Sequence, residues 1–365
     1  MKRVVIDMNS VMPLYGRGWL SGIGRTTKEF VEALDRLDAL PYEVLLYSQN
    51  TRGINASRLQ THFVYKHINF PHKAWANRIL ALTHAREMAT RYDLLHIPHN
   101  FEWVSCPERT IVTLHDAIFF AHPDEVYDYK KLQRRCSRLA KRCRAIITCS
   151  QSSKRDIMRY MDIPETKIHV IPWGCDTTRF KPVTLRMEGR PYFLSVSCST
   201  GRKNTLTLIK AYEQFVRQQP RHRLILVWPT PPDEVMAYCS QGQLRDNVHI
   251  LTDVDDEQLS TLYSNATATF FSSRYEGFGL PVLESLACGT PVVTSPISAM
   301  PEIGGDAAFY VDPDDADGMC HLMEQFEQGT LNKTSLSQKC IDQSAQFTWR
   351  RCAEQTAVLY QELLG

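Results

Sequence analysis

The way two patterns alternate along the chain limits its fold more than any other feature. Short runs rich in β-branched and aromatic residues, at 3–8, 42–47, 93–97, 110–114 and 145–148, are separated by stretches of helical periodicity. Ile23, Thr27, Phe30, Val31 and Leu34, for example, share one helix face. A second series follows at 192–196, 223–227, 248–251, 267–271 and 291–294. Strands that alternate with helices predict parallel sheets covered on both faces. The alternation restarts near residue 190, after a polar, proline-bearing stretch at 175–191 that reads as a linker. A chain of 365 residues holds two domains at roughly 100–200 residues each. The expected fold is therefore α/β, with two doubly wound, Rossmann-like domains facing each other across a cleft. Their bounds are placed at 1–178 and 179–348. Ligands of such sheets bind beyond the strand C-terminal edges.

Composition narrows the class. A hydrophobic content of 43% suits a globular protein with a real core. No run approaches the roughly 18–20 apolar residues of a membrane span. The basic, then apolar, start resembles a signal peptide, but Asp7 interrupts the apolar stretch after Ile6, so it reads as the buried first strand of a cytoplasmic protein. The eleven cysteines include no CxxC pair and no zinc spacing, which suits reduced core thiols. The net charge of +2 hides an asymmetry: residues 1–178 carry 26 Lys and Arg against 18 Asp and Glu. A basic first half is expected to meet something anionic.

Four loops carry chemistry. Gly22-Ile23-Gly24 follows the first strand and opens the first helix, where glycine permits close backbone approach and the helix start offers N–H groups to an anion; it reads equally as a turn. His115 ends the strand at 110–114 and faces the ligand edge, as a sugar or phosphate contact or as a capping or core histidine. Arg202 and Lys203 follow the strand at 192–196 and precede a helix at 205–217. Two cations at a helix start make a diphosphate clamp, or a solvated basic loop. The sharpest segment runs from Glu276 through Gly277, Phe278, Gly279 and Leu280 to Glu284. Its glycines offer an anion cradle at a short helix. A carboxylate there would repel phosphate, so Glu276 and Glu284 suit sugar or ribose hydroxyls, or else are capping and surface residues. The DxD-like clusters at 253–256 and 312–315 read as helix caps, with Asp255 and Asp314 as the capping residues, rather than as metal ligands.

At these loops the sequence resembles glycosyltransferase family 4, the retaining transferases of GT-B fold. The carrying segment is Glu276 to Glu284 followed by Cys288-Gly-Thr-Pro-Val-Val, with Thr148-Cys-Ser150, the segment from Val170 through Pro172 and Gly174 to Asp176, and Arg202-Lys203-Asn204 in support. The resemblance implies roles. Gly22–Gly24 would approach the donor phosphates and His115 the transferred sugar. Arg202 and Lys203 would neutralise the leaving diphosphate. Glu276, with the Phe278-Gly279-Leu280 backbone, would hold the donor sugar and distal phosphate, and Glu284 would accept from ribose. The last helix, 349–363, would pack back on the first domain. The chain departs from the family at Ser197, where many members carry arginine, and at Trp173, where asparagine is usual.

The implied activity moves a hexose from a nucleoside-diphosphate sugar to a glycan or glycolipid acceptor, with retention and without a metal or other cofactor. The residues leave the donor base and sugar open, and the likeness to polysaccharide and O-antigen transferases points to GDP-mannose. The rival classes are a nucleotide-sugar epimerase or phosphorylase and a non-catalytic nucleotide-sugar-binding protein. A dehydrogenase would need a full GxGxxG, which Thr27 breaks. On the acceptor side, residues 130–144 hold an apolar seam of Leu132, Cys136, Leu139 and Cys143 beside a basic stripe that includes Lys131, Arg134, Arg135, Arg138 and Arg142. That stripe is expected to be a solvated face, or to rest on anionic lipid at the inner face of a membrane.

Overall fold

The structure is a computed structural model. It describes residues 1–18, 20–54, 59–100, 103–183, 188–198 and 201–365, without the Arg17 side chain. Part of the linker stretch, 184–187, lies outside the described residues. The chain divides into two compact units, Met1–Gly174 with Thr348–Gly365, and Cys175–Phe347.

The first unit is built on seven strands: β1 (Arg3–Asp7), β2 (Glu43–Gln49), β3 (Val64–Ile68), β4 (Leu94–Ile97), β5 (Thr110–Thr113), β6 (Ala145–Thr148) and β7 (Ile168–Val170). They pair in the order β3-β2-β1-β4-β5-β6-β7, parallel throughout. The second unit has β8 (Tyr192–Val196), β9 (Arg223–Val227), β10 (Val248–Leu251), β11 (Ala268–Phe271), β12 (Val292–Thr294) and β13 (Ala308–Tyr310). Their order, β10-β9-β8-β11-β12-β13, is also all parallel. Both units are thus doubly wound, as the alternation predicts. Strand order reverses between β1 and β4 in one sheet and between β8 and β11 in the other. A crevice opens at such a switch point, outside the carboxyl ends of the two strands.

Strands β3, β7 and β13 escape the sequence reading because they are short or half-exposed edge elements without a continuous apolar run. The glycine segment does not follow β1 directly, as expected; a short helix, Met12–Arg17, comes between, and the Gly22–Asp35 helix then starts from Ser21, whose hydroxyl accepts from the Gly24 N–H at 3.1 Å. The short helix has Pro13 in its first turn and ends at Gly18 in the left-handed region, signals that are easily read as a loop.

The core of the first unit lies between its sheet, the Gly22–Asp35 helix and the last helix, Trp349–Leu364. That last helix is capped by Thr348, whose side chain accepts from the Arg351 N–H at 3.1 Å. Its buried Tyr360 hydroxyl bonds His96 Nδ1 on β4, and His96 Nε2 reaches Thr113 Oγ1 at 2.8 Å. Gly174 lies under the start of this helix: a Cβ there would sit 2.0 Å from the Trp349 nitrogen. The second unit packs Phe193, Phe215, Phe270 and Phe326 around β8 and β11. All eleven cysteines are free thiols and ten are buried, where burial pushes Cys136, Cys143 and Cys352 up to about 12. No helix among the described residues is long and apolar enough to cross a membrane.

Candidate active site

The second unit places its chemistry at the switch point between β8 and β11. Chain leaving β8 makes a 3₁₀ turn, Gly201–Lys203, and Asn204 turns it into a helix from the left-handed region at φ 56°. Chain leaving β11 enters the segment 272–279. The two loops are stitched together: the Arg274 N–H donates to the Arg202 carbonyl at 2.7 Å, and the Ser272 hydroxyl to the Asn204 carbonyl at 3.2 Å. Residues about seventy positions apart are thereby held in one rigid constellation.

Its centre is Glu276. Oε1 accepts from Lys203 Nζ at 2.6 Å, from the Ser273 hydroxyl at 2.8 Å and from Arg202 at 3.3 Å. Lys203 also rests over the Phe271 ring at 4.7 Å. Burial alone would raise the Glu276 carboxyl, but the Lys203 and Arg202 charges outweigh it and hold the group below its ordinary value. From the sequence alone, the cations form one clamp and Glu276 a separate sugar ligand. The structure joins them into a single charge network. The Glu276 backbone is braced from the next turn, with its N–H donating to Ser298 Oγ at 3.0 Å and its carbonyl accepting from that hydroxyl at 2.5 Å.

Gly277, Phe278 and Gly279 continue the loop, and Gly279 is the residue before the Leu280–Ala287 helix. Gly279 has φ 106°, and a Cβ there would meet the Met300 methyl at 2.4 Å. Only glycine fits a backbone that must both turn the wrong way and pass so close to a neighbour. Phe278 is buried against Phe347. Leu280 is half-buried at the first helical position, with Pro281 next, so the start of the helix loses no needed N–H to proline. Glu284 is buried in the same helix, and its Oε2 accepts from the Tyr263 hydroxyl at 3.3 Å.

In the first unit, His115 follows β5 and is buried. Its Nε2 lies 3.2 Å from the Pro98 carbonyl, which can only accept, so Nε2 carries the proton. Nδ1 then presents a lone pair, with no partner among the described residues, and suits a donating hydroxyl. Trp173 lies against the imidazole with ring centroids 5.1 Å apart. The Thr27 hydroxyl also points to the Pro98 carbonyl, at 3.4 Å, which brings the helix opened by Gly22–Gly24 and His115 to one small cavity of about 30 Å³. Gly24 serves close packing: a Cβ would sit 2.4 Å from the Ser10 carbonyl oxygen, whereas one on Gly22 would meet nothing within 4 Å. Ile23 is half-buried, and its carbonyl accepts from the Thr26 and Thr27 hydroxyls.

Two features at these edges went unread in the sequence. Asp7 ends β1 as a fully buried carboxylate; burial would raise it, yet His99, 3.8 Å away, and the Arg86 charge bring it down to about 2. The signal was available in a charge that closes an otherwise apolar strand. A second cavity, of about 620 Å³, opens at the carboxyl end of β10 and is lined by Asp253, Val254, Asp255 and Glu257. Asp255 caps the next helix in a reciprocal box with Gln258, as expected. The other expected cap is corrected: Asp315, not Asp314, accepts from Gly318 N–H, while Asp314 is drawn away to pair with Arg274. Ser197, at the departure position, bonds the Thr205 hydroxyl and is buried, so it offers no charge.

Burial holds the imidazoles of His96 and His115 down to about 3 and about 4. Well above the ordinary histidine value of 6.5, both are neutral whether the chain is folded or not. As pH falls from there, the unfolded chain takes up protons that the native state refuses, so stability declines until the native groups titrate. Stability measured by denaturant should therefore drop steadily from pH 6.5 towards 4, and His115→Gln should remove about one proton from that slope. An unchanged slope in the variant would show that His115 titrates normally in the folded protein.

The Glycosyltransferase Family 4 profile matches residues 20–179, and the Glycosyl transferases group 1 profile matches residues 176–346. O-antigen chain mannosyltransferase B of Escherichia coli is 28% identical over 73% of this chain and 72% of that protein. O-antigen chain mannosyltransferase RfbU of Salmonella typhimurium is 30% identical over 60% of each, so the match spans about three fifths of its length. Among solved structures, sucrose-phosphate synthase from Thermosynechococcus elongatus superposes with a TM-score of 0.77 at 19% identity, over 100% of this chain and 99% of that one. HepE of Anabaena, solved with UDP-glucose, gives 0.74 at 18%, over 99% and 100%. With both profiles meeting across the two doubly wound domains, the chain belongs to glycosyltransferase family 4 and is a glycosyltransferase of GT-B fold.

Proposed function

We propose that the chain transfers a mannosyl residue from GDP-mannose to a glycan or glycolipid acceptor in bacterial polysaccharide synthesis, with retention and without a metal. The observation that carries the donor class is the Lys203–Glu276–Arg202 network beside the Gly279 cradle. Two cations at a switch point suit a diphosphate, and a carboxylate between them suits sugar hydroxyls rather than phosphate. The names of the Escherichia coli and Salmonella relatives support mannose and an O-antigen-type acceptor.

When the glycosidic bond to the diphosphate breaks, negative charge grows on the leaving phosphate. Lys203 and Arg202 are already fixed in place, so little reorganisation opposes their stabilising it. The incoming diphosphate competes with Glu276 for both cations. That competition frees carboxylate oxygens to accept from the donor sugar. His115, kept neutral by burial, accepts a sugar hydroxyl at Nδ1. Glu284 accepts from ribose. The acidic rim of the cavity beyond β10 repels phosphate and suits the donor-rich edge of a nucleoside.

Calorimetry with GDP, UDP, dTDP, ADP and CMP tests the donor. GDP should bind tightest, and turnover of GDP-mannose should survive excess EDTA. Preference for UDP would overturn the donor assignment. Loss of transfer in EDTA, restored by Mg²⁺ or Mn²⁺, would overturn the metal-free reading.

A further inference from the structure

Glu276 is held at two levels, and only one of them belongs to the charge network. Lys203, Arg202 and the Ser273 hydroxyl fix its carboxylate. Ser298 fixes its backbone, from the turn between β12 and the Met300–Gly304 helix. The Ser298 hydroxyl accepts from the Glu276 N–H at 3.0 Å and donates to the Glu276 carbonyl at 2.5 Å. A hydroxyl has one proton to give and lone pairs to receive with, so both bonds form at once. Together they tie down the peptide planes on either side of one Cα. With those planes fixed, the direction of the Glu276 Cα–Cβ bond is fixed too.

The conformation of Ser298 sets it apart. Its φ of 58° lies in the left-handed region. His84, Arg91, Asp128, Asp162 and Asn204 share that region, but each stands at a helix end, where such a residue makes the turn. Ser298 caps nothing, because the residue before the Met300–Gly304 helix is Ala299. Glycine would hold this backbone without strain. A strained serine where a relaxed glycine would fit points to a use for the hydroxyl, and that hydroxyl bonds Glu276 twice. The turn does not depend on these bonds for its place. Pro296 and Ile297 are exposed, whereas Ala299 and Met300 are fully buried and anchor it. Met300 also lies against Gly279, so one turn backs the segment 276–279 at both of its ends.

We propose that Ser298 is a positioning residue for the donor sugar. Its hydroxyl sets the aim of the Glu276 carboxylate, so that an oxygen faces the sugar once the incoming diphosphate draws the two cations away. The inference rests on the proposed role of Glu276 in holding the donor sugar and adds the residue that directs it.

Calorimetry with GDP and GDP-mannose, or with UDP and UDP-glucose if the parent prefers uridine, tests it on Ser298→Ala, Ser298→Gly and Glu276→Gln. Both Ser298 variants should bind the bare nucleotide within about twofold of the parent and the sugar nucleotide roughly tenfold more weakly, the scale of one hydrogen bond to a charged group. Glycine relieves the left-handed backbone and alanine does not, so Ser298→Gly should melt above Ser298→Ala while both lose sugar affinity alike. A merely structural brace would make the affinity losses follow the melting temperatures. In the Glu276→Gln background, Ser298→Gly should add almost nothing, because two residues acting through one group are not additive. The proposal is overturned by a glycine variant that binds the sugar nucleotide like the parent, by equal weakening of both ligands, or by full additivity with Glu276→Gln. If Glu276→Gln alone binds the sugar nucleotide like the parent, the sugar-holding role of Glu276 fails, and Ser298 has nothing to direct.

Discussion

Lys203→Ala is expected to lower turnover by roughly 10²–10³-fold while leaving the fold intact, the scale for losing one preorganised charge from a leaving group. The side chain lies on a surface-lying 3₁₀ turn, and its ammonium bonds Glu276 at 2.6 Å. Arg202, at 3.3 Å, still holds the carboxylate, so Glu276 is not left as an uncompensated buried charge. Nucleotide release, measured on protein whose thermal transition matches the parent, reads the effect. Activity above about half in that variant would remove Lys203 from the diphosphate site. Glu276→Ala should behave differently. It deletes the competitor for both cations, so free nucleoside diphosphate should bind at least as well while sugar transfer slows. A parallel loss of nucleotide affinity would mean that Glu276 organises the cations instead of yielding them.

Gly174→Ala is expected to destabilise the first unit by about 3 kcal/mol, the upper end of the usual overpacking cost. The added methyl would lie 2.0 Å from the Trp349 nitrogen and 2.3 Å from the Thr348 carbonyl carbon, both backbone atoms that cannot swing aside. Relief requires the last helix to lift, which exposes the buried Cys352 and Tyr360. For a unit of this size the thermal transition should fall by about 6–12 °C. Gly22→Ala is the control, because its Cβ would enter open space. Calorimetry showing equal transitions in the two variants would mean that the chain crossing at Gly174 is not kept in solution.

The alternation of strands and helices, visible in the sequence, determined that both sheets are parallel and doubly wound. Five strands of the second series were legible because buried parallel strands are apolar along their whole length, as Arg223–Val227 is after its first residue. Val64–Ile68 was not legible: it is an edge strand with half its face in water, so its sequence lacks that mark. The glycines and carboxylates of 276–284 were also legible, since few residue types serve a tight turn at a helix start. What those residues do to one another was not. Lys203 and Glu276 are far apart in the chain and meet because β8 lies beside β11, with Leu194 opposite Thr269. Strand order is set by how helices cover the sheet, a property of the whole domain. For the same reason Asp314 gave up its expected helix end to Arg274 and left the cap to Asp315. The basic stripe of 130–144 shows the division again. Its charge was plain from composition, but the tertiary structure selected Arg134, Arg135, Arg138 and Arg142 for one cavity of the first unit by bringing Trp103 and the Ala74–Leu82 helix against that side. Local chemistry is written in the order of residues, whereas partners distant in the chain are chosen only when packing has closed the sheet around them.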